Sequence, residues 1–232
     1  MRQSVAGLIL RLGLVPGLML GLVPGLTLGL TLGLVLAGTT ARADSPGEFD
    51  YYIMSLSWSP NWCALEGDRR QAPQCDQDYG WTLHGLWPQN EQGWPDYCTT
   101  HEPAPSRKMT AGMTDIMGSS GLAWHQWKKH GTCSGLAPDD YFALSRVAYD
   151  RIRRPDVFRK LNDPVRLPAS VVEEAFLKDN PDLTPDMVTV TCQDGYVQEV
   201  RVCFTRGLEP RPCGGGTRRD CGLDDALFTP LR

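Results

Sequence analysis

The period of apolar and polar positions changes several times along the chain. Residues 12–41 hold no charged side chain and read as a Leu/Gly/Val run. Tyr52, Met54, Leu56 and Trp58 then alternate with Tyr51, Ile53, Ser55 and Ser57. That is period two and predicts a strand. From Trp58 to Gly80 the chain is rich in Pro, Asp and Gln, and reads as a loop carrying Cys63 and Cys75. Trp81 to Leu86 is a short apolar, strand-like piece that ends at Pro88, and Gln89 to Met109 reads as loop. Two amphipathic helices follow. Asp139 or Asp140 can cap one in which Tyr141, Leu144, Ala148 and Ile152 share a face, limited by Pro155. Ser170 with Glu173 has the spacing of a capping box ahead of the stripe Val172, Ala175, Phe176, and Pro181 stops that helix. In the tail Val188 and Val190 alternate with Thr189 and Thr191, and Val200, Val202 and Phe204 form one face of the next strand. A Gly-rich turn, Gly214 to Gly216, leads towards Cys221. Strands on either side of a helical middle predict an α+β domain.

The apolar run at the start is set apart from this domain. A basic head, an uncharged middle and the small-x-small triplet Ala41-Arg42-Ala43 form a secretory signal peptide pattern. Gly13, Gly17, Gly21, Gly25, Gly29 and Gly33 recur every four residues, and the stretch is long enough to span a bilayer, so a retained anchor is the competing reading. Pro16, Pro24 and the degenerate eight-residue repeat favour a cleaved leader over residues 1–43, with the folded domain at 44–232.

Charge and cysteine content sharpen this. Removing 43 of the 232 residues leaves 189, ample for one domain with a real core. The leader carries three basic and no acidic residues, so the net charge moves from −4 to −7. So acidic a chain is not a DNA-coating protein, which needs a broadly basic surface. All eight Cys lie beyond the leader, which indicates an oxidising compartment and a disulfide framework, secreted or periplasmic. No stable membrane association is expected once the leader is gone.

The chemistry concentrates in two short segments. All seven Trp lie between Trp58 and Trp127 and all four His between His84 and His130. The segments are Trp81-Thr-Leu-His-Gly-Leu-Trp-Pro88 and His125-Gln-Trp-Lys-Lys-His-Gly-Thr-Cys133. Core packing is the simpler account of most of the Trp. It is a poor account of three imidazoles beside two Lys. Two His suit a general base and a general acid, and a Lys suits the extra charge of a phosphorane. RNA carries its own nucleophile, the 2′-OH, so no metal or protein nucleophile is required. His125 and His130 are five apart with no Glu between them, and no Cys pair has CxxC spacing, so neither a metal site nor a cofactor is expected.

At these segments the sequence resembles the ribonuclease T2 family. Leu83-His84-Gly85-Leu86-Trp87-Pro88 matches one family block, and the second block is matched except at Gln126, where the family most often has Glu. Ser57-Trp58-Ser59-Pro60 with Cys63, and Pro138 to Phe142, also have the family's look, so that the likeness runs from about Asp50 to Cys221. The resemblance implies one disulfide-stapled α+β domain with a central antiparallel sheet and flanking helices. It implies that His84 is the general acid, His130 the base that activates the 2′-OH, Lys129 the stabiliser of the pentacovalent phosphate, and His125 a phosphate holder. Trp87 would seat the ribose or base. It also suggests the bridges Cys63–Cys75, Cys98–Cys133, Cys192–Cys221 and Cys203–Cys213, one of the 105 pairings that eight Cys allow.

Gln126 keeps the size of Glu and one carbonyl acceptor, gains an amide donor and loses the charge. Activity is expected to persist. The expected function is cleavage of single-stranded RNA, not DNA, with low base specificity, through a 2′,3′-cyclic phosphate to 3′-phosphate ends, by a monomer. One alternative is a catalytically weakened RNA-binding or signalling protein on the same scaffold, and another is a metal-dependent phosphodiesterase. Trp62, Trp94 and Tyr97 are candidates for stacking on bases, Gln89 for a base edge, and His101 reads as an exposed loop residue.

Overall fold

Every residue of β1 (Tyr51–Trp58) is buried, including Ser55 and Ser57 on the face opposite Leu56 and Trp58. In the computed structural model, which describes residues 44–217 and 219–232, the reason is that both faces of the sheet are covered. Residues 1–43, and with them the leader reading, lie outside the described residues. Tyr52, Met54, Leu56 and Trp58 point into the main core, whereas Tyr51 and Ile53 join a smaller cluster with Cys203, Cys213 and Trp87.

β1 pairs antiparallel with β2 (Trp81–Gln89) on one side and with β5 (Tyr196–Phe204) on the other. β2 is an edge strand, which is why Pro88 is accepted inside it, opposite Tyr52. β4 (Val188–Gln193) and β5 form a hairpin through Asp194-Gly195, both at positive φ as a tight two-residue hairpin turn requires. The expected strands at 51–58, 188–191 and 200–204 are thus present, and β2 runs three residues further than its apolar core. Two short strands had no signal in the alternation. They are β3 (Val165–Leu167) and β6 (Ala226–Phe228), which pair antiparallel and attach to the sheet where Leu227 meets Tyr196 in a parallel contact.

The segment read as a loop after Trp58 is partly helical. It holds α1 (Ser59–Trp62), a wider turn at Cys63–Gly67 and a tight one at Pro73–Asp76. Three helices follow where loop or no regular element was expected, α2 (Arg107–Ala111), α3 (Thr114–Met117) and α4 (Ser120–Lys129). α4 buries only Ala123, Gln126 and Trp127, a stripe too narrow and too polar to stand out as amphipathic. α5 (Pro138–Arg151) starts at Pro138, with Asp139 and Asp140 inside its first turn, where they complement the helix dipole and do not cap it. α6 (Ala169–Asp179) buries Val172 and Phe176 as expected, but Ser170 lies inside the helix behind Pro168, so no Ser170–Glu173 capping box forms.

The helices pack on the apolar side of the sheet. There Trp58, Trp81, Phe158, Phe176 and Phe228 meet in edge and stacked contacts, with centroids 4.7 to 6.2 Å apart. The chain is stapled by Cys63–Cys75, Cys98–Cys133, Cys192–Cys221 and Cys203–Cys213.

Candidate active site

The register of β2 against β1 breaks at His84. Ser55 faces Gly85 and Leu56 faces Leu83, so His84 is the extra residue of a β-bulge. The bulge reconciles two demands. Leu83 and Leu86, three apart, both enter the core, and His84 turns to the opposite face. Gly85 is required beside it. A Cβ there would lie 2.1 Å from Gln126 Oε1 and 2.3 Å from Trp87 Nε1.

The other half of the site comes from the end of α4. Ser119 caps the helix by accepting from the Leu122 amide, at 3.1 Å. His125 and Gln126 lie in its last turns, Lys129 ends it, and His130 is the C-cap with φ −118°. Because His130 has left the helical screw, its five-residue separation from His125 does not split the two. Both line one cleft of about 450 Å3 together with His84, Trp87, Gln126 and Lys129. The Cys98–Cys133 bridge and the Tyr97 amide, which donates to the Lys129 carbonyl at 2.8 Å, fasten this helix end to the loop after β2. Gly131 is packed so tightly that a Cβ would lie 2.4 Å from the Trp127 ring. Tyr141 from α5 donates its hydroxyl to the Leu86 carbonyl at 2.8 Å, which pins β2.

Trp87 joins the two halves. Its indole N–H donates to Gln126 Oε1 at 2.7 Å, which leaves the amide N–H2 of Gln126 as the end available to the cleft. The His130 ring stacks on Trp87 at 5.2 Å and 26°, and the His84 ring meets it edge-on at 5.3 Å. Arg201 brings its guanidinium to 5.3 Å from the same indole. Trp87 therefore positions both imidazoles.

Electrostatics divide the histidines. Burial, then the charges of Lys129, His84 and His125, push His130 down to about 3, so it is held neutral. Its Nδ1 is buried without a partner among the described residues, so a second ring proton would leave an unpaired donor. Burial, and after it Lys129, His84 and Lys128, also lower His125.

Two further residues of the cleft, Glu199 and Arg201, stand in no period or motif of the sequence. Glu199, 2% exposed on the cleft face of β5, binds His84 Nδ1 through Oε1. Its other oxygen accepts from Arg201 Nε at 2.9 Å and Nη2 at 2.6 Å. Burial alone would raise Glu199, but the His84 hydrogen bond and the charges of His84 and Arg201 prevail and hold it at about 2. The available clue was a Glu and an Arg two apart in a strand whose other positions, Gln198 apart, are apolar or aromatic, since a buried charge requires a partner.

A second cleft of about 520 Å3 shares His84, His125 and Glu199 with the first and is walled by Trp62 and Arg70. Trp94, 60% exposed, and Gln89 line the first cleft, whereas Tyr97 lines neither. His101 is exposed.

The model of the ribonuclease T2 family matches residues 49–213. A protein named "Ribonuclease" from Aeromonas hydrophila is 42% identical over 124 residues, 53% of this chain and 52% of that protein. A "Probable ribonuclease" from Haemophilus influenzae is 31% identical over 121 residues, 46% of this chain and 44% of its own. The chain thus spans about half the length of these curated relatives. Among solved structures, RNase NT in complex with 5′-AMP superposes with a TM-score of 0.58 at 17% identity, over 80% of this chain and all of that one. At that identity the likeness concerns the fold.

Proposed function

The chain belongs to the ribonuclease T2 family, and from that premise we propose that it is an exported endoribonuclease that cleaves single-stranded RNA without a metal. The observation that carries this reading is the pairing of His130, held neutral by burial, with a second imidazole, His84, across Trp87, and with Lys129 and His125 on the same cleft. A neutral imidazole can take a proton, and a His facing an ionised carboxylate is suited to give one.

His130 removes the proton of the ribose 2′-OH. The 2′-oxygen attacks phosphorus, Lys129, His125 and the Gln126 amide hold the phosphorane oxygens, and His84 protonates the departing 5′-oxygen. The product is a 2′,3′-cyclic phosphate. With water in the place of the leaving nucleoside the two His exchange roles, and the ring opens to a 3′-phosphate. DNA has no 2′-OH and is not a substrate. The two clefts meet at His84 and His125, so the nucleotides on either side of the scissile phosphate have separate places. Trp94 and Trp62 offer π faces that every base can stack on, which favours low base specificity. Residues 1–43 act as a cleaved leader, and 44–232 form the catalytic domain of an exported monomer, where disulfides persist.

RNA digestion in EDTA, wild type beside His84→Ala and His130→Ala, tests the reading. Cleavage is expected to survive EDTA and to fall about 10²–10⁴-fold in each variant. Abolition by EDTA, or undiminished cleavage in either variant, overturns it.

A further inference from the structure

We propose that Glu199, clamped by Arg201, is a positioning residue for His84. It fixes the ring with Nδ1–H towards the sheet, so that Nε2 serves the cleft, and it sets a carboxylate in direct contact with that ring. This rests on the general-acid role of His84 proposed above.

The geometry points one way. Glu199 sits on β5 opposite Ser57 of β1 and Thr191 of β4, where an uncharged residue would satisfy the sheet. A carboxylate there, 2% exposed, is strongly disfavoured unless it is paired and hydrogen-bonded. Its two oxygens are divided between claimants, Oε1 to His84 and Oε2 to two N–H groups of Arg201. A planar guanidinium on one oxygen leaves the other aimed at a single place. His84 stands on a bulge, without the regular pairing that would fix it, so a bond from β5, reaching across β1, supplies the constraint. The other charged groups on the two clefts are His125, Lys129 and His130 from the end of α4, Arg201, Glu91, which is paired with Arg211 at 2.7 Å, and, across the second cleft, Glu66 and Arg70. Glu66 is paired with Arg70 at 2.5 Å. The remaining groups are cationic or become so on acidification and work against a charged His84. Glu199, in direct contact, opposes them.

Glu199→Gln is the test, because one amide oxygen cannot serve both His84 and Arg201, and the charge is gone. Two readouts are taken. The first is the His84 Nδ1–H proton resonance, assigned by its loss in His84→Ala and independent of catalysis. The second is the pH dependence of kcat and KM on a dinucleotide. The resonance is expected to move upfield or vanish. The basic limb of the rate profile is expected to shift down by about one pH unit, with kcat about tenfold lower at neutral pH, KM within about threefold and most of the loss recovered at mildly acidic pH. An unchanged resonance, or a loss of equal size at every pH, overturns the proposal. If Glu199→Gln does not fold, Arg201→Gln replaces it. That variant keeps the His84–Glu199 contact and removes a cation, so the resonance persists and the basic limb moves up; a lost resonance overturns the proposal. Wild type that fails to cleave RNA while the resonance responds to Glu199→Gln refutes the ribonuclease reading and leaves the positioning contact intact.

Discussion

A side chain at position 85 would have to occupy space that Gln126 and Trp87 already fill, 2.1 and 2.3 Å from where its Cβ would stand. Gly85→Ala must therefore push the Gln126 amide off the indole or tilt the indole itself. Because both imidazoles rest on Trp87, we expect kcat/KM to fall by more than about tenfold, with about 1–3 kcal/mol of stability lost as in other overpacked sites. Steady-state kinetics and urea unfolding of the one variant check both. Gln126 invites the reverse experiment. Gln126→Glu still accepts from the Trp87 N–H, so the geometry survives and kcat should change by less than about tenfold, or about 1.4 kcal/mol. The new anion favours the charged forms of His130 and His125. The acidic limb of the rate profile, below which the base is protonated, must therefore move to higher pH. A pH-rate series on wild type and variant reads the sign. That position 126 departs from the family was visible in the sequence. That its carbonyl holds Trp87 was not, because the partner lies 39 residues away on another element.

At the scale of elements, legibility followed how much of the burial was apolar and periodic. β1, β4, β5 and the stripes of α5 and α6 repeat at two or about 3.6, and the structure has them there. α4 carries most of the candidate site and was illegible for that reason. Its cleft residues occupy positions that a structural helix would give to Leu or Ala, and what remains to bury is Ala123, Gln126 and Trp127. The bulge at His84 is equally hidden, since a single extra residue leaves no compositional trace and only its pairing partner reveals it. Glu199 and Arg201 needed the register of β5 against β1 to come beneath His84. With so small an apolar footing, α4 depends on its tethers. The Cys98–Cys133 bridge closes 35 residues and Cys203–Cys213 closes 10. On loop entropy alone, removing the first should cost about 1 kcal/mol more than removing the second. It should also loosen Lys129 and His130, one on each side of the α4 terminus. Replacing each Cys pair by Ser should show the larger fall in urea midpoint, and a fall in kcat at a temperature where both variants remain folded, for Cys98–Cys133.

Across the whole molecule, the same burial that holds His130 neutral makes the fold sensitive to acid. Folding lowers His130 from 6.5 to about 3. Between those values the unfolded chain binds a proton that the native chain refuses, so stability falls as the pH falls. The effect is absent above about pH 6.5, grows through the acid range and is on the order of 3 kcal/mol at pH 4. Glu199 adds to it at the low end. Its native value, lowered from 4.5 to about 2, contributes stability that is present above 4.5 and lost as the pH falls towards 2. Both losses have one sign because the site refuses a proton on His130 and keeps the carboxylate beneath His84 ionised. The chain can therefore hold His130 neutral in acid only by giving up stability there, and the four disulfides, each worth about 2–4 kcal/mol, offset that cost. The urea midpoint should accordingly fall steadily from pH 7 to pH 4. His130→Asn, which removes the titrating ring while keeping a polar group of similar reach, should flatten that slope between pH 6.5 and 4 even though it abolishes cleavage. A slope that is as steep in His130→Asn as in wild type would mean that the acid sensitivity arises elsewhere, and that His130 is not held neutral by the fold.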